Sequence, residues 1–263
     1  MEVAHAARDL ANGWEVAHPT AGSRIEGAEV IGFRDRAAAG LDMRVVPAPA
    51  VTVVIEFGSG LTVDGPGGRQ AMGSLIGGLW PGAVRIRGER VKCVEVRLSP
   101  VAAYSLLGCS LSDLDGTVVD LADLCGPADA RRLREQLAEA AGWPKMFALT
   151  DAFLDRMRGS ASADPEVAAS WDRIVASRGG VRVGELAASC GWSRKRLWAR
   201  FTAQIGLTPK RAAMLVRFDR AVAGLSAGAD AAAVAVACGY TDQSHLHRDV
   251  ATFTGRTPSA LVG

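Results

Sequence analysis

The side chains best suited to chemistry stand in two short segments in the last third of the 263-residue chain. In VRVGELAASCGWSRKRLWARFTAQIG, the apolar spacing predicts a short helix over Val183 to Cys190, with Leu186 and Ala187 facing inward and a stop at Gly191. Ser193 then caps a second helix that runs to about Gln204, with Leu197, Phe201 and Ile205 on its buried side. The other side of that helix carries Arg194, Lys195, Trp198 and Arg200. A bracing helix, a tight turn and a second helix with a cationic outer face make the helix-turn-helix layout, in which the N-terminal half of the second helix enters a major groove.

The arrangement recurs in ADAAAVAVACGYTDQSHLHRDVATFTG. Asp230 caps an alanine-rich helix ending near Cys238, Gly239 supplies the turn, and a helix starting around Thr241 or Asp242 continues to about Thr254. Cys190-Gly191-Trp192 aligns with Cys238-Gly239-Tyr240, Leu197 with Leu246, and Gly206-Leu-Thr-Pro209 with Gly255-Arg-Thr-Pro258. A duplication that matches turn, core and exit residues is far more specific than one helix-turn-helix, which any three-helix domain can imitate.

The charge distribution agrees with this layout. From Asp172 to Gly263 there are thirteen Arg and Lys against six Asp and Glu, a net +7, while the preceding residues hold 17 basic and 22 acidic groups, a net −5. A basic C-terminal third is what a surface that meets phosphates requires, although a merely solvated face would have the same composition.

The elements that must position these segments follow from the remaining pattern. Between Gly32 and about Pro100, MRVVPAPAVTVVIEF, GLTVDGPGGRQAM and GAVRIRGERVKCVEVRLSP read as short strands joined by tight turns. Val84 and Ile86, then Val91, Cys93 or Val94, Val96 and Leu98 recur about every second position, as in half-buried strands. After Pro100 the period becomes helical in VAAYSLLG, DARRLREQLAEAAG and KMFALTDAFLDRMRG, with Pro127 and Pro144 near helix starts. These helices either cover the sheet or pair two subunits. Gly159-Ser-Ala-Ser-Ala-Asp-Pro165 is small and polar and ends in proline, the composition of a linker.

On ELAASCGWS, LWARF, GLTP, RFDRA, GYTDQSHLHR and GRTP, in that order and spacing, the segment from about Val181 to Leu261 resembles the AraC/XylS-type transcriptional regulators. The resemblance implies about seven helices, with a long central helix over about Pro209 to Leu225 holding two recognition helices one DNA turn apart. Carried over position by position, it implies base-facing residues Arg194, Lys195, Trp198 and Ala199 in the first recognition helix, and Gln243, Ser244, His247 and Arg248 in the second. Arg and Lys can pair with guanine O6 and N7, and Gln with adenine, so Lys195, Gln243 and Arg248 have the chemistry for direct readout; Trp198 can pack on a thymine methyl or a sugar. Ala199 stands where the family commonly has arginine, and Val250 where a core phenylalanine is usual. Members of the family are more often activators than repressors. VKCVEVRLSPVAAYSLLG followed by VVDLADLCG is also similar to the sensor halves of some actinobacterial members.

Other readings of the chemistry-bearing residues are weaker. His245 and His247, two apart on a helix, point to different faces and lack a carboxylate or cysteine partner, so no metal site is expected. His247 is expected in the groove, and His245 packing or touching phosphate. Trp192 and Tyr240 fit the core better than base stacking, and Arg217 fits a structural or phosphate-facing role. Gly58 to Gly68 lacks the Gly-Lys-Ser/Thr ending of a phosphate loop and reads as a hairpin loop. His5 and His18 lie near a loose N-terminus, and there is no nucleophile elbow, so an enzyme whose second domain only tethers it to DNA is the weaker hypothesis. The five cysteines form no CxxC pair, and most are expected to be small buried residues.

The expected fold is therefore α+β: a small β-sandwich or barrel-like domain with flanking helices over 1–158, a linker at 159–165, and an all-α domain with two helix-turn-helix units over 166–263. The expected partner is double-stranded DNA, with RNA polymerase, a small-molecule effector and a second copy of the chain as further partners, and no cofactor. A ligand-independent regulator is the alternative. MEVAHAARDL lacks the basic-then-apolar order of a signal peptide and no stretch suits a membrane span, so the expected location is the cytoplasm.

Overall fold

The computed structural model describes residues 13–65, 68–79, 84–114, 118–159 and 161–258. His5 and the end of the AraC-like segment at Leu261 lie outside the described residues. The strands are β1 (Trp14–Ala17), β2 (Ala28–Asp35), β3 (Leu41–Val45), β4 (Val51–Glu56), β5 (Leu61–Gly65), β6 (Gly68–Met72), β7 (Ser74–Gly77), β8 (Val84–Gly88), β9 (Lys92–Leu98) and β10 (Val118–Asp120). They form a six-stranded sheet ordered β1-β2-β9-β4-β7-β10 and a four-stranded sheet ordered β3-β8-β5-β6, with antiparallel pairing throughout.

The helices are α1 (Pro100–Leu107), α2 (Leu121–Cys125), α3 (Pro127–Glu139), α4 (Trp143–Met157), α5 (Pro165–Ala176), α6 (Val183–Ser189), α7 (Arg194–Ile205), α8 (Pro209–Ser226), α9 (Ala231–Ala237) and α10 (Gln243–Thr254), with a 3-10 turn at Leu111–Leu114. A β-rich region followed by a helical one is the expected α+β class, and six of the helices fall in the C-terminal part among the described residues.

The strand pattern resolves once both faces of the larger sheet are considered. Ile31, Phe33, Leu75 and Cys93 point toward the smaller sheet, where they meet Leu61, Val63, Met72 and Ile86. Val53, Ile55, Val94, Val96 and Leu98 point the other way, into a cluster with Leu106, Leu133, Leu137, Met146 and Phe153 from the helices. β9 is thus buried on both faces rather than half-buried, because α1 and α4 lie across it. Each fully buried Val or Leu there contributes about 1.5–3 kcal/mol of transfer free energy, which is the force holding the helices on the sheet.

The glycine-rich stretch from Gly58 to Gly68 is not one hairpin loop, because Leu61 and Val63 alternate inward and make Leu61–Gly65 a strand paired with both β6 and β8. The turn before it is tied down by the fully buried Glu56, whose carboxylate accepts from Gly58 N at 2.6 Å and Gly60 N at 2.8 Å. Arg134 of α3 donates its Nε to the Glu56 carbonyl at 2.6 Å, with Nη2 at 3.7 Å from the same carboxylate.

All five cysteines are free thiols; Cys93 and Cys238 are buried and the other three partly so. Burial pushes the Cys93 thiol well above its usual range, so it stays protonated and behaves as an apolar side chain. No helix among the described residues is long and apolar enough to cross a membrane.

Candidate nucleic-acid interface

Each helix-turn-helix unit is built by local chemistry visible in its own residues. In the first, α6 ends at Cys190, Gly191 takes φ +64°, and the Ser193 side chain accepts from Arg196 N at 3.2 Å to start α7. In the second, Asp230 accepts from Ala232 N and Ala233 N to start α9, Gly239 takes φ +74°, and Asp242 accepts from His245 N at 2.7 Å to start α10. A side chain at φ near +60–75° costs energy that glycine avoids, so the two glycines mark the same left-handed turn. Both second helices end in a left-handed glycine cap, Gly206 and Gly255. The expected helix bounds, including the long helix after Pro209, match α7, α8 and α10 closely.

The buried sides correspond as well. Leu197, Phe201 and Ile205 of α7 are fully buried, as are Leu246 and Val250 of α10, and Phe253 is nearly so. The Phe253 ring meets that of Phe218 of α8 in a tilted pair, with centroids 4.7 Å apart. Val250, at the position where the family usually has phenylalanine, is buried in the same core.

On the outer sides, Arg194, Lys195, Trp198 and Ala199 are exposed, and Trp198 presents 52% of its surface although it is large and apolar. Gln243, Ser244 and Arg248 are exposed, and His247 is partly so, its Nε2 lying 3.4 Å from Gln243 Nε2. The eight residues named from the sequence thus stand on the faces of α7 and α10 that point away from the core. Arg248 keeps its guanidinium close to its own helix, donating Nε to Ser244 O at 3.3 Å.

The aromatic residues after the turns belong to the packing. Tyr240 is buried, meets His245 edge-on at 5.1 Å and lies under the Arg217 guanidinium at 4.6 Å. Desolvation pushes its hydroxyl far above the usual tyrosine range. Trp192 packs on the core's edge with Arg196 over its ring at 4.4 Å. Arg217 has a structural role: its Nη2 donates to Asp249 Oδ2 at 3.1 Å, joining α8 to α10 with both side chains largely buried.

Sequence reasoning missed a second set of contacts around α7. Arg200 donates Nε and Nη2 to the Asp164 carboxylate at 2.6 and 2.8 Å, and the Asp164 backbone N–H donates to the buried Gln204 Oε1 at 2.9 Å. Ser110 donates its hydroxyl to the Ala203 carbonyl at 2.5 Å. A Cβ at Gly206 would sit 2.8 Å from the Leu111 carbonyl carbon, so only glycine allows that approach. The Arg200 guanidinium holds the Asp164 carboxyl below its ordinary value of 3.8. The Asp164-Pro165 pair is a legible helix start, but nothing local in the sequence points its carboxylate at α7.

Residues 186–262 match the family model of a helix-turn-helix domain. A search of curated protein sequences finds no match. Among solved structures, the chain is similar to ToxT from Vibrio cholerae O395, with a TM-score of 0.50 at 10% identity over 90% of this chain and 97% of that one. It is equally similar to unsaturated fatty acid-bound wild-type ToxT from Vibrio cholerae strain SCE256, with a TM-score of 0.50 at 9% identity over 89% and 94% of the two chains. Two matched helix-turn-helix units on a long connecting helix, behind a β-rich region, define a DNA-binding transcription regulator. The resemblance of residues 181–261 to the AraC/XylS type agrees with that helix-turn-helix match over 186–262.

Proposed function

We propose that the chain is a sequence-specific transcription activator that reads two adjacent major grooves, with α7 and α10 as recognition helices. The carrying observation is that both helices, capped and turned alike, hold their apolar sides in the core and leave Arg194, Lys195, Trp198 and Ala199, and Gln243, Ser244, His247 and Arg248, outward. Direct hydrogen-bond readout is concentrated in α10, because Gln243 and Arg248 can make bidentate base contacts, whereas Trp198 and Ala199 offer only apolar ones. The division of labour follows the chain: 1–158 as sensor or pairing domain, 159–165 as linker, 166–263 as DNA-binding domain.

A small-molecule effector belongs to the proposal. The fatty acid-bound ToxT structure makes an apolar carboxylate the first class to test. A second reading, regulation without a ligand, is favoured by the apolar side chains of Ile31, Phe33, Leu61, Val63 and Ile86 packed together between the sheets.

The test uses the full chain and duplexes selected by it from a random-sequence pool. A preferred site spanning about two helical turns is expected, with affinity falling steeply as salt rises. Arg248→Ala and Gln243→Ala should each reduce discrimination at their own base pairs by about 1–3 kcal/mol. Equal affinity for all duplexes overturns sequence-specific reading. An unchanged affinity in the presence of unsaturated fatty acid, set against the same chain without it, supports the ligand-independent reading.

A further inference from the structure

The outer surface of α7 divides into two faces, and only one of them bears the base-reading residues. At about 100° per residue, Leu197, Phe201, Gln204 and Ile205 share the core side, while Lys195, Trp198 and Ala199 spread over about 100° of the outward side; Arg194 has the core side's angle but is exposed at the start of the helix, beside Gly184 of α6. Arg196, Arg200 and Ala203 fall within about 60° of one another on a third side. That third side is where the N-terminal part of the chain takes hold, through Ser110 on the Ala203 carbonyl and Asp164 on Arg200.

Asp164 is unusual in its own place. It is the residue before the first turn of α5, where an aspartate ordinarily accepts from its helix's free N–H groups, yet its side chain makes no capping bond. Both carboxylate oxygens go to Arg200 instead, in a two-pronged arrangement, and the backbone N–H of the same residue holds Gln204 one turn further along. The second unit has a counterpart. Aligning Leu197 with Leu246 puts Arg200 at the position of Asp249, and Asp249 is held by Arg217 of α8. Each recognition helix is therefore pinned at the same position by an ion pair, with the charges exchanged and with different anchors: α8 for α10, the segment before α5 for α7.

We propose that Asp164 is a positioning residue for DNA reading: through Arg200 and Gln204 it sets the pose of the first recognition helix, and so makes the first half-site answerable to the N-terminal part of the chain. This rests on the two-groove reading above. Arg200 itself touches no base in this scheme, since it lies on the side of α7 away from Lys195 and Trp198. The hydrogen bonds from the earlier part of the chain reach α7 at Arg200, Ala203 and Gln204, in its last two turns, so a shift of α1 or of the segment 161–164 moves α7 relative to α10 without unfolding either unit.

The experiment compares the full chain with Asp164→Asn, Arg200→Gln and the double variant, each used to select duplexes from a random pool and each titrated on single-base variants of the site. Asparagine keeps the capacity to cap α5, so Asp164→Asn removes the charge and spares the fold, which an unchanged melting temperature verifies. Expected is a loss on the order of tenfold in base discrimination within the half-site read by α7, with the α10 half-site changed less than about twofold. The double variant should be no worse than either single one, since both break one contact. Unchanged discrimination in Asp164→Asn overturns the proposal, as does a double variant whose losses add. A uniform loss on all duplexes in Arg200→Gln alone, with a shallower salt dependence, also overturns it and assigns Arg200 to a phosphate. If the unaltered chain selects no sequence at all, it is the two-groove reading that fails instead.

Discussion

The two helix-turn-helix units differ less in their own build than in what holds them. Each has a tight glycine turn, a side-chain cap, a leucine at the heart of its second helix and an aromatic residue after the turn that belongs to the packing. The aromatic in the first unit lies under Arg196, and that in the second meets His245, the residue at the corresponding helix position. The pinning pair in the second unit is largely buried, with Arg217 and Asp249 side chains 17% and 6% exposed, and lies wholly within the helical region. The pair in the first unit is open to water, with Arg200 53% exposed, and reaches back to residue 164. A buried pair whose partner is removed leaves a stranded charge, whereas an exposed pair costs little when broken. The second unit is thus tied by a buried pair and the first by an exposed one, although their sequences align.

Three sets of substitutions test that contrast, beginning with the largest effect. Asp249→Ala should destabilise the helical region by about 3–5 kcal/mol, because Arg217 is left buried without its carboxylate. Asp164→Ala should shift the urea midpoint little by comparison, and similar losses from both would erase the distinction. Next in size is the reading itself: on a selected duplex, Gln243→Ala and Arg248→Ala should relax base preference by about 1–3 kcal/mol, and Lys195→Ala and Trp198→Ala by less. Should the α7 variants prove the more damaging, direct readout is not concentrated in α10. Smallest are the caps. Ser193→Ala and Asp242→Ala each remove one side-chain acceptor and should lower stability by about 1 kcal/mol, to a similar degree in both units, as read by thermal unfolding. A large asymmetry there would mean that the units differ in their own build after all.

Much of this was legible before any coordinates. Gly191 and Gly239, Ser193, Asp230, and the four-residue spacing of Leu197 and Phe201 placed both units and their bounds, because caps, turns and amphipathic spacing are decided within a few residues of chain. The same spacing separated the apolar side of α7 from its outer surface. Between Gly32 and Pro100 the strands were legible as strands, whereas β1 and β10 lie outside that stretch, and the choice between Cys93 and Val94 as the inward residue had no local answer. Both are inward, toward different layers, since helices from later in the chain cover the second face of β9. The stretch from Gly58 to Gly68 misled for a related reason: its glycines look like a loop until Leu61 and Val63 find their partners across the sheet.

The sequence by itself determined that there are two helix-turn-helix units, where their second helices begin and end, and that the third of the chain carrying them is basic. These are properties of short-range geometry and of composition. Only the tertiary structure decided that the outer surface of α7 is shared between a side left exposed and a side held by Ser110 and Asp164. Residues 93 and 36 positions away in the chain supply those contacts, and no periodicity within α7 records them. Arg194 and Arg200 are the same amino acid on the same helix; packing across that distance leaves one facing outward and ties the other to an aspartate.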